Sequence, residues 1–156
     1  MVTDAERASF VERMGGALTS AGLARLPSRI FSALLIDEDG RMTAAEIAAA
    51  LGVSPAAVSG AVRYLDGVGM VRRERERGSR RDIFVVDDDA WHETLLHADQ
   101  IYAPMQAALR RALESLPRDD PAYRRLRLSN EFLGFLLDEL DSLNERWDRR
   151  VKELEL

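Results

Sequence analysis

A mainly helical fold carrying one small β-hairpin is predicted by three features of the sequence. Apolar residues recur at helical spacing through both ends of the chain, two short helices flank a tight turn near its centre, and a single β-branched run, Ile83-Phe84-Val85-Val86, follows a Gly78-Ser79 turn signal. The 156 residues suffice for one compact domain, or for a small module with helical extensions, but not for two full-sized enzymatic domains. The composition, 46% hydrophobic and 31% charged with 6% aromatic, suits a globular chain rich in helix formers. With no cysteine, disulfides, thiolate metal sites and thiol redox sensing are excluded. Met1 to Phe10 is charged and no apolar run reaches transmembrane length, so a cytoplasmic location without a membrane partner is expected.

Phe10, Val11, Met14, Ala17, Leu18 and Ala21 fall three and four apart, predicting an amphipathic helix from Asp4 to Ala21 closed by Gly22. Pro27 opens a second helix that runs to about Leu35 and is broken by Asp37-Glu38-Asp39-Gly40. Thr43-Ala44-Ala45-Glu46 is a capping box opening a third helix that ends at Leu51-Gly52. Ser54-Pro55 pairs an N-cap with a first-turn proline and starts a fourth, with Val58, Ala61, Val62 and Leu65 inward and an end near Gly67 or Gly69. The Gly78-Ser79 turn sets a hairpin register in which Arg77 faces Arg80, Glu76 faces Arg81, Arg75 faces Asp82 and Val71 faces Val86. Asp87-Asp88-Asp89 supplies caps for a long helix through Trp91, Leu95, Ala98, Tyr102, Met105, Leu109, Ala112 and Leu116, kinked at Pro104. After a polar break at 117–121, a last helix from about Pro121 carries Leu126, Ser129, Leu133, Leu136, Leu140, Leu143 and Trp147.

These elements imply three regions: an N-terminal packing or dimerisation helix over 1–21, a winged helix-turn-helix over 22–88, and a helical dimerisation region over 89–156. The net charge of −5 is unevenly spread. Gly22 to Val86 holds ten arginines against eight acids, and Arg72 to Arg81 alone holds six arginines against two glutamates, so one basic patch sits on an acidic body.

In this layout the second helix of the pair enters a major groove while the hairpin reaches the backbone or a neighbouring minor groove. The outward face of the Ser54 helix carries Ser54, Ala56, Ala57, Ser59, Gly60 and Arg63. Small side chains let a helix approach base edges closely, Ser bonds donors or acceptors, and Arg reaches guanine or phosphate. A short surface helix made of good helix formers is the plain alternative. Holding Arg77 against Arg80 costs cross-strand repulsion that a polyanion would relieve, against the alternative of a solvated charged hairpin. The candidate DNA contacts are Thr43, Ser54, Ala56, Ala57, Ser59, Gly60, Arg63, Arg73, Arg75, Arg77, Ser79, Arg80 and Arg81.

The stretch Thr43 to Ser59, with Arg63-Tyr64-Leu65 and Gly69-Met70-Val71-Arg72-Arg73, resembles the winged helix of MarR-type bacterial repressors. Gly22 to Ile30 and Asp89-Ala90-Trp91 look more particularly like the GbsR branch. The resemblance implies a homodimer on a pseudo-palindromic duplex operator, usually repressing, with a small-molecule effector bound between reading heads and dimer helices. Gly60 stands where many relatives carry a larger polar residue, and the 78–82 wing only approximates the usual motif.

The leucine ladder of the last helix serves either as internal core or as a dimer seam; too many apolar stripes for one small chain favour a seam of Phe10, Met14, Leu133, Leu136, Leu140, Leu143 and Trp147. Trp91, Tyr102, Phe132 and Phe135, with Trp147, are candidates for an effector pocket, against the commoner reading of such rings as core. Enzyme signals are weak. His92 and His97 are five residues apart and project about 140° from each other on a helix, so a shared zinc site is not expected. No catalytic residue, cofactor or metal is expected, and no phosphate loop or nucleophile motif occurs. The expected function is DNA-binding transcriptional regulation, with a protein-interaction adaptor as the alternative.

Overall fold

A computed structural model describes residues 3–75, 78, 81–92 and 99–154, with the side chains of Asp99 and Gln100 excepted. Two compact units divide the chain, Met1–Ala90 and Trp91–Leu156.

The first unit opens with α1, Asp4–Ser20, whose capping box joins Thr3 and Glu6. Its end is closed as the sequence implies: Gly22, at φ +110°, donates to Thr19 and the Leu23 amide reaches back to Leu18 at 3.1 Å. Helix α2, Arg25–Leu35, starts two residues before Pro27, because a proline in the first turn loses an N–H that has no helical acceptor there. Ile30, Phe31 and Leu34 are fully buried, and α2 packs against α1, α4 and α3. Ser28 and Ser32 are equally buried; their hydroxyls donate to the carbonyls of Ala24 and Ser28, four residues back, at 2.9 and 2.8 Å.

The acidic break after α2 leads into a strand that the sequence reading did not include. Strand β1, Arg41–Thr43, pairs antiparallel with β3, Asp82–Val85, which pairs in turn with β2, Arg72–Arg75. The expected two-stranded wing is thus part of a three-stranded sheet ordered β1-β3-β2. Gly40 makes the approach possible: at φ +61° it accepts a 2.9 Å bond from the Val86 amide, and a Cβ there would lie 2.9 Å from the Val86 carbonyl oxygen. The hairpin register agrees with the sequence for Arg75 opposite Asp82. The expected pairs Arg77–Arg80 and Glu76–Arg81 involve residues outside the described set.

Helices α3, Ala44–Leu51, and α4, Pro55–Gly67, follow the expected bounds, joined by three residues and bent by 111° from each other. Ile47, Val58 and Leu65 are fully buried and share one core with α2 and Phe84.

In the second unit, helical residues 91 and 92 precede a part of the chain outside the described set that includes Leu95, His97 and Ala98. Helix α5, Asp99–Ser115, contains Pro104. A turn at 117–120 follows, and the Asp120 carboxylate accepts from the Ala122 amide at 2.7 Å, so α6, Tyr123–Leu154, begins two residues after Pro121. Helix α6 packs on α5, and at Gly134 an added Cβ would stand 2.7 Å from the Gln106 amide nitrogen, so the Gln106 side chain lies directly on the α6 backbone. No residue of α6 is fully buried. No single described helix is long and apolar enough to cross a membrane.

Candidate nucleic-acid interface

The presented helix is α4, and its orientation follows from its buried stripe. With Val58, Ala61, Val62 and Leu65 inward, a 100° step per residue centres the outward face on Ala56, Gly60 and Arg63, flanked by Ser59, Ala57 and Tyr64. All of these are exposed. Ser54 accepts from the Ala57 amide at 3.2 Å, fixing the helix start and satisfying one of its free donors. A Cβ at Gly60 would meet nothing within 4 Å, so packing does not require a glycine there. Tyr64, 46% exposed, is an addition to the expected set; the inward stripe itself carried the signal for it.

Thr43 is a cap. Its hydroxyl donates to Glu46 Oε2 at 2.8 Å and accepts from the Glu46 amide at 3.3 Å, while the Thr43 amide reaches the same carboxylate at 2.7 Å. Those bonds hold the Glu46 carboxyl below its ordinary pKa.

The wing neutralises part of its own charge. On one face of the sheet Arg41 binds Glu74 at 2.7 Å, Glu74 also holds Arg72, and Arg72 binds Asp87 at 2.8 Å, a chain of pairs linking β1, β2 and the segment that follows β3. Asp87 and Glu74 push the Arg72 guanidinium up, and Arg72 pushes the Asp87 carboxyl down. On the other face Arg73 binds Asp82 at 2.5 Å, which lowers the Asp82 carboxyl and raises the guanidinium. Arg73, Asp82 and Phe84 close a notch with Ser59, Val62, Arg63 and Asp66 of α4, so helix and wing meet beside Arg63. Among the described residues Arg63 and Arg75 form no ion pair and remain exposed, and Arg81 is also exposed. Arg77, Ser79 and Arg80 lie outside the described set. The structure therefore brings Ala56, Ser59, Gly60, Arg63, Arg73 and Arg75 to the α4–wing side.

The other expected sites are less concentrated. Phe132 and Phe135 are 59% and 61% exposed, Tyr102 is half-buried and Trp91 exposed. Leu133, Leu136 and Leu140 are half-buried, Leu143 and Trp147 exposed, Phe10 half-buried, and Met14 packs on the core of the first unit. His92 shares a 3.1 Å hydrogen bond with Asn144, and among the described residues no group of three His, Cys, Asp or Glu side chains could hold a metal ion.

Comparison with known proteins adds a family to this geometry. Residues 21–82 match the family model described as MarR family, and residues 89–150 match one described as an MmpR5-like MarR family transcriptional regulator. Both matches support a MarR-family transcriptional regulator. The chain is similar to the HTH-type transcriptional regulator MmpR5 of Mycobacterium tuberculosis (strain ATCC 25618 / H37Rv), being 29% identical over 145 residues that cover 92% of this chain and 88% of that one. It also superposes, with a TM-score of 0.81 and 28% identity, on a crystal structure described as a transcriptional regulator, covering 92% of this chain and 99% of that one. The matched family is one of DNA-binding regulators of transcription rather than of enzymes.

Proposed function

We propose that the regulator is a cytoplasmic homodimeric repressor whose paired α4 helices read a pseudo-palindromic duplex, with the wing arginines on the backbone or in a minor groove. The observation that carries this reading is the outward face of α4: small, exposed residues around Gly60, with Arg63 left without an ion pair among the described residues. Positive side chains unneutralised by the protein are what a phosphate backbone would neutralise. Support for the dimer comes from the second unit, where Ile101, Met105, Leu128, Phe132 and Phe135 are each more than half exposed, more apolar surface than a two-helix unit leaves uncovered in water.

An effector that alters the spacing of the two heads would relieve repression, with Trp91, Tyr102, Phe132 and Phe135 as candidate contacts; a broad ligand set that never shifts DNA affinity would remove this part. Within the family, Gly22 to Ile30 and Asp89 to Trp91 support a place near the GbsR branch, while the match over 89–150 supports one near MmpR5-like regulators.

The test is selection of bound genomic fragments followed by anisotropy titration over a range of salt. A repeated half-site and an affinity that falls steeply with salt are expected, and Arg63→Ala with Arg75→Ala should flatten the slope. The alternative, a protein-interaction adaptor that does not touch DNA, predicts no salt-dependent duplex binding. Phe132→Glu with Phe135→Glu should yield a monomer in sedimentation; an unchanged dimer would remove this seam.

A further inference from the structure

The first unit holds a cleft of about 260 Å³ between α1, α2, β1 and the end of α3. Its floor is apolar, built from Val11, Ala33, Ile36, Met42 and Leu51, and two alanines at its mouth, Ala8 and Ala50, are exposed and leave it open. The rim is acidic, with Asp4, Glu12 and Asp37 in the cleft itself and Glu38, Asp39 and Glu46 in the adjoining notch.

The cations at this rim are already engaged. Arg7 donates to the Ile36 carbonyl and to Glu38 at 2.9 Å, Arg29 binds Glu12 at 2.8 Å, and Arg41 binds Glu74 at 2.7 Å. Asp4 and Asp39 have no ion pair among the described residues, so the mouth carries surplus negative charge. An apolar floor under such a rim complements a ligand with an apolar body and a positively charged head.

We propose that this cleft binds a small lipophilic cation. Such a ligand would touch Ala50 and Leu51, in the last turn of α3, and Met42, which pairs with Phe84 in the sheet. Occupancy is therefore linked to the helix pair and to the wing together, so this site also offers the effector of the proposed repressor a place within one reading head. Only that last consequence rests on the DNA-binding reading; ligand binding itself does not.

The experiment is calorimetric titration of the full chain, without DNA, using octyltrimethylammonium, octyl sulfate and octanol below their micelle concentrations. The cation is expected to bind at least tenfold more tightly than the sulfate or the alcohol. Ala8→Trp and Ala50→Trp, which fill the mouth from exposed positions, should each weaken it tenfold or more while leaving circular dichroism unchanged, and Asp4→Asn should weaken it several-fold. Absence of cation binding, equal binding of the sulfate, or full binding by both tryptophan variants would overturn the proposal. So would a change of sedimentation in the tryptophan variants with cation binding retained, because the cleft would then be a seat for a second copy. Should either tryptophan variant fail to fold, Asp4→Lys, at an exposed position, replaces it and must also lose the cation.

Discussion

Arg73 of β2 binds Asp82 of β3, although the residue directly across the ladder from Arg73 is Phe84 and the one across from Asp82 is Arg75. The pair is diagonal on one sheet face, within reach of a long side chain. It leaves Arg75 exposed and ties up a guanidinium beside Arg63.

Removing the acid from that pair should strengthen DNA binding. In Asp82→Asn the Arg73 guanidinium is released towards the α4 side, and one more phosphate contact would steepen the log-affinity against log-salt slope by about 0.9. Anisotropy at several salt concentrations checks this; an unchanged slope would show that Arg73 does not reach the duplex.

Gly60→Ala separates folding from reading. A glycine inside a helix costs roughly 0.5–1 kcal/mol relative to alanine, and at this position a Cβ meets nothing. Urea unfolding should therefore show a more stable protein, while affinity for the selected operator falls because the helix backbone no longer sits as close to the bases. Stabilisation with unaltered affinity would mean that α4 meets DNA by another face.

Acid should weaken the first unit through its lowered carboxyls. Asp82 and Asp87 titrate below their ordinary 3.8, and Glu6 and Glu46 below their ordinary 4.5. A depressed folded-state pKa gives stability that is fully present above the ordinary value and is lost as pH falls through the folded value. The thermal midpoint should stay level from neutral pH down to about 5 and drop below about 4. Asp87→Asn should lower the neutral plateau slightly and reduce the acid loss; an identical acid profile would remove Asp87 from this account.

Gly40→Ala should cost about 1–3 kcal/mol in equilibrium unfolding, because it places a side chain at φ +61° and presses it against the Val86 carbonyl. A variant as stable as the parent would show that the turn relaxes freely.

The sequence made the helices readable because their boundary chemistry is local. The Thr43–Glu46 box, the Ser54-Pro55 start and the Gly22 stop each act within a few residues, and each appears where the sequence places it. The hairpin register was readable for the same reason, since one turn counts off the pairs on both sides. Strand β1 was not, because Arg41-Met42-Thr43 becomes a strand only by pairing with residues some forty positions later. The same distance hid the Arg41–Glu74 bond and the cleft walled by α1, α2 and α3. On the outward face of α4, exposure of Ala56, Ser59, Gly60 and Arg63 followed from the inward stripe, whereas the capture of Arg73 by Asp82 depends on side-chain reach that opposed positions in a ladder do not reveal.

Thr43 closes β1 against Ile83 and, with the same backbone, opens α3. One threonine thus belongs to both the ladder and the helix, and no spacer lies between them to absorb a displacement. A tug on the wing would reach α3 at its first turn, making the sheet and the helix pair a single mechanical part rather than a finger hinged on a palm.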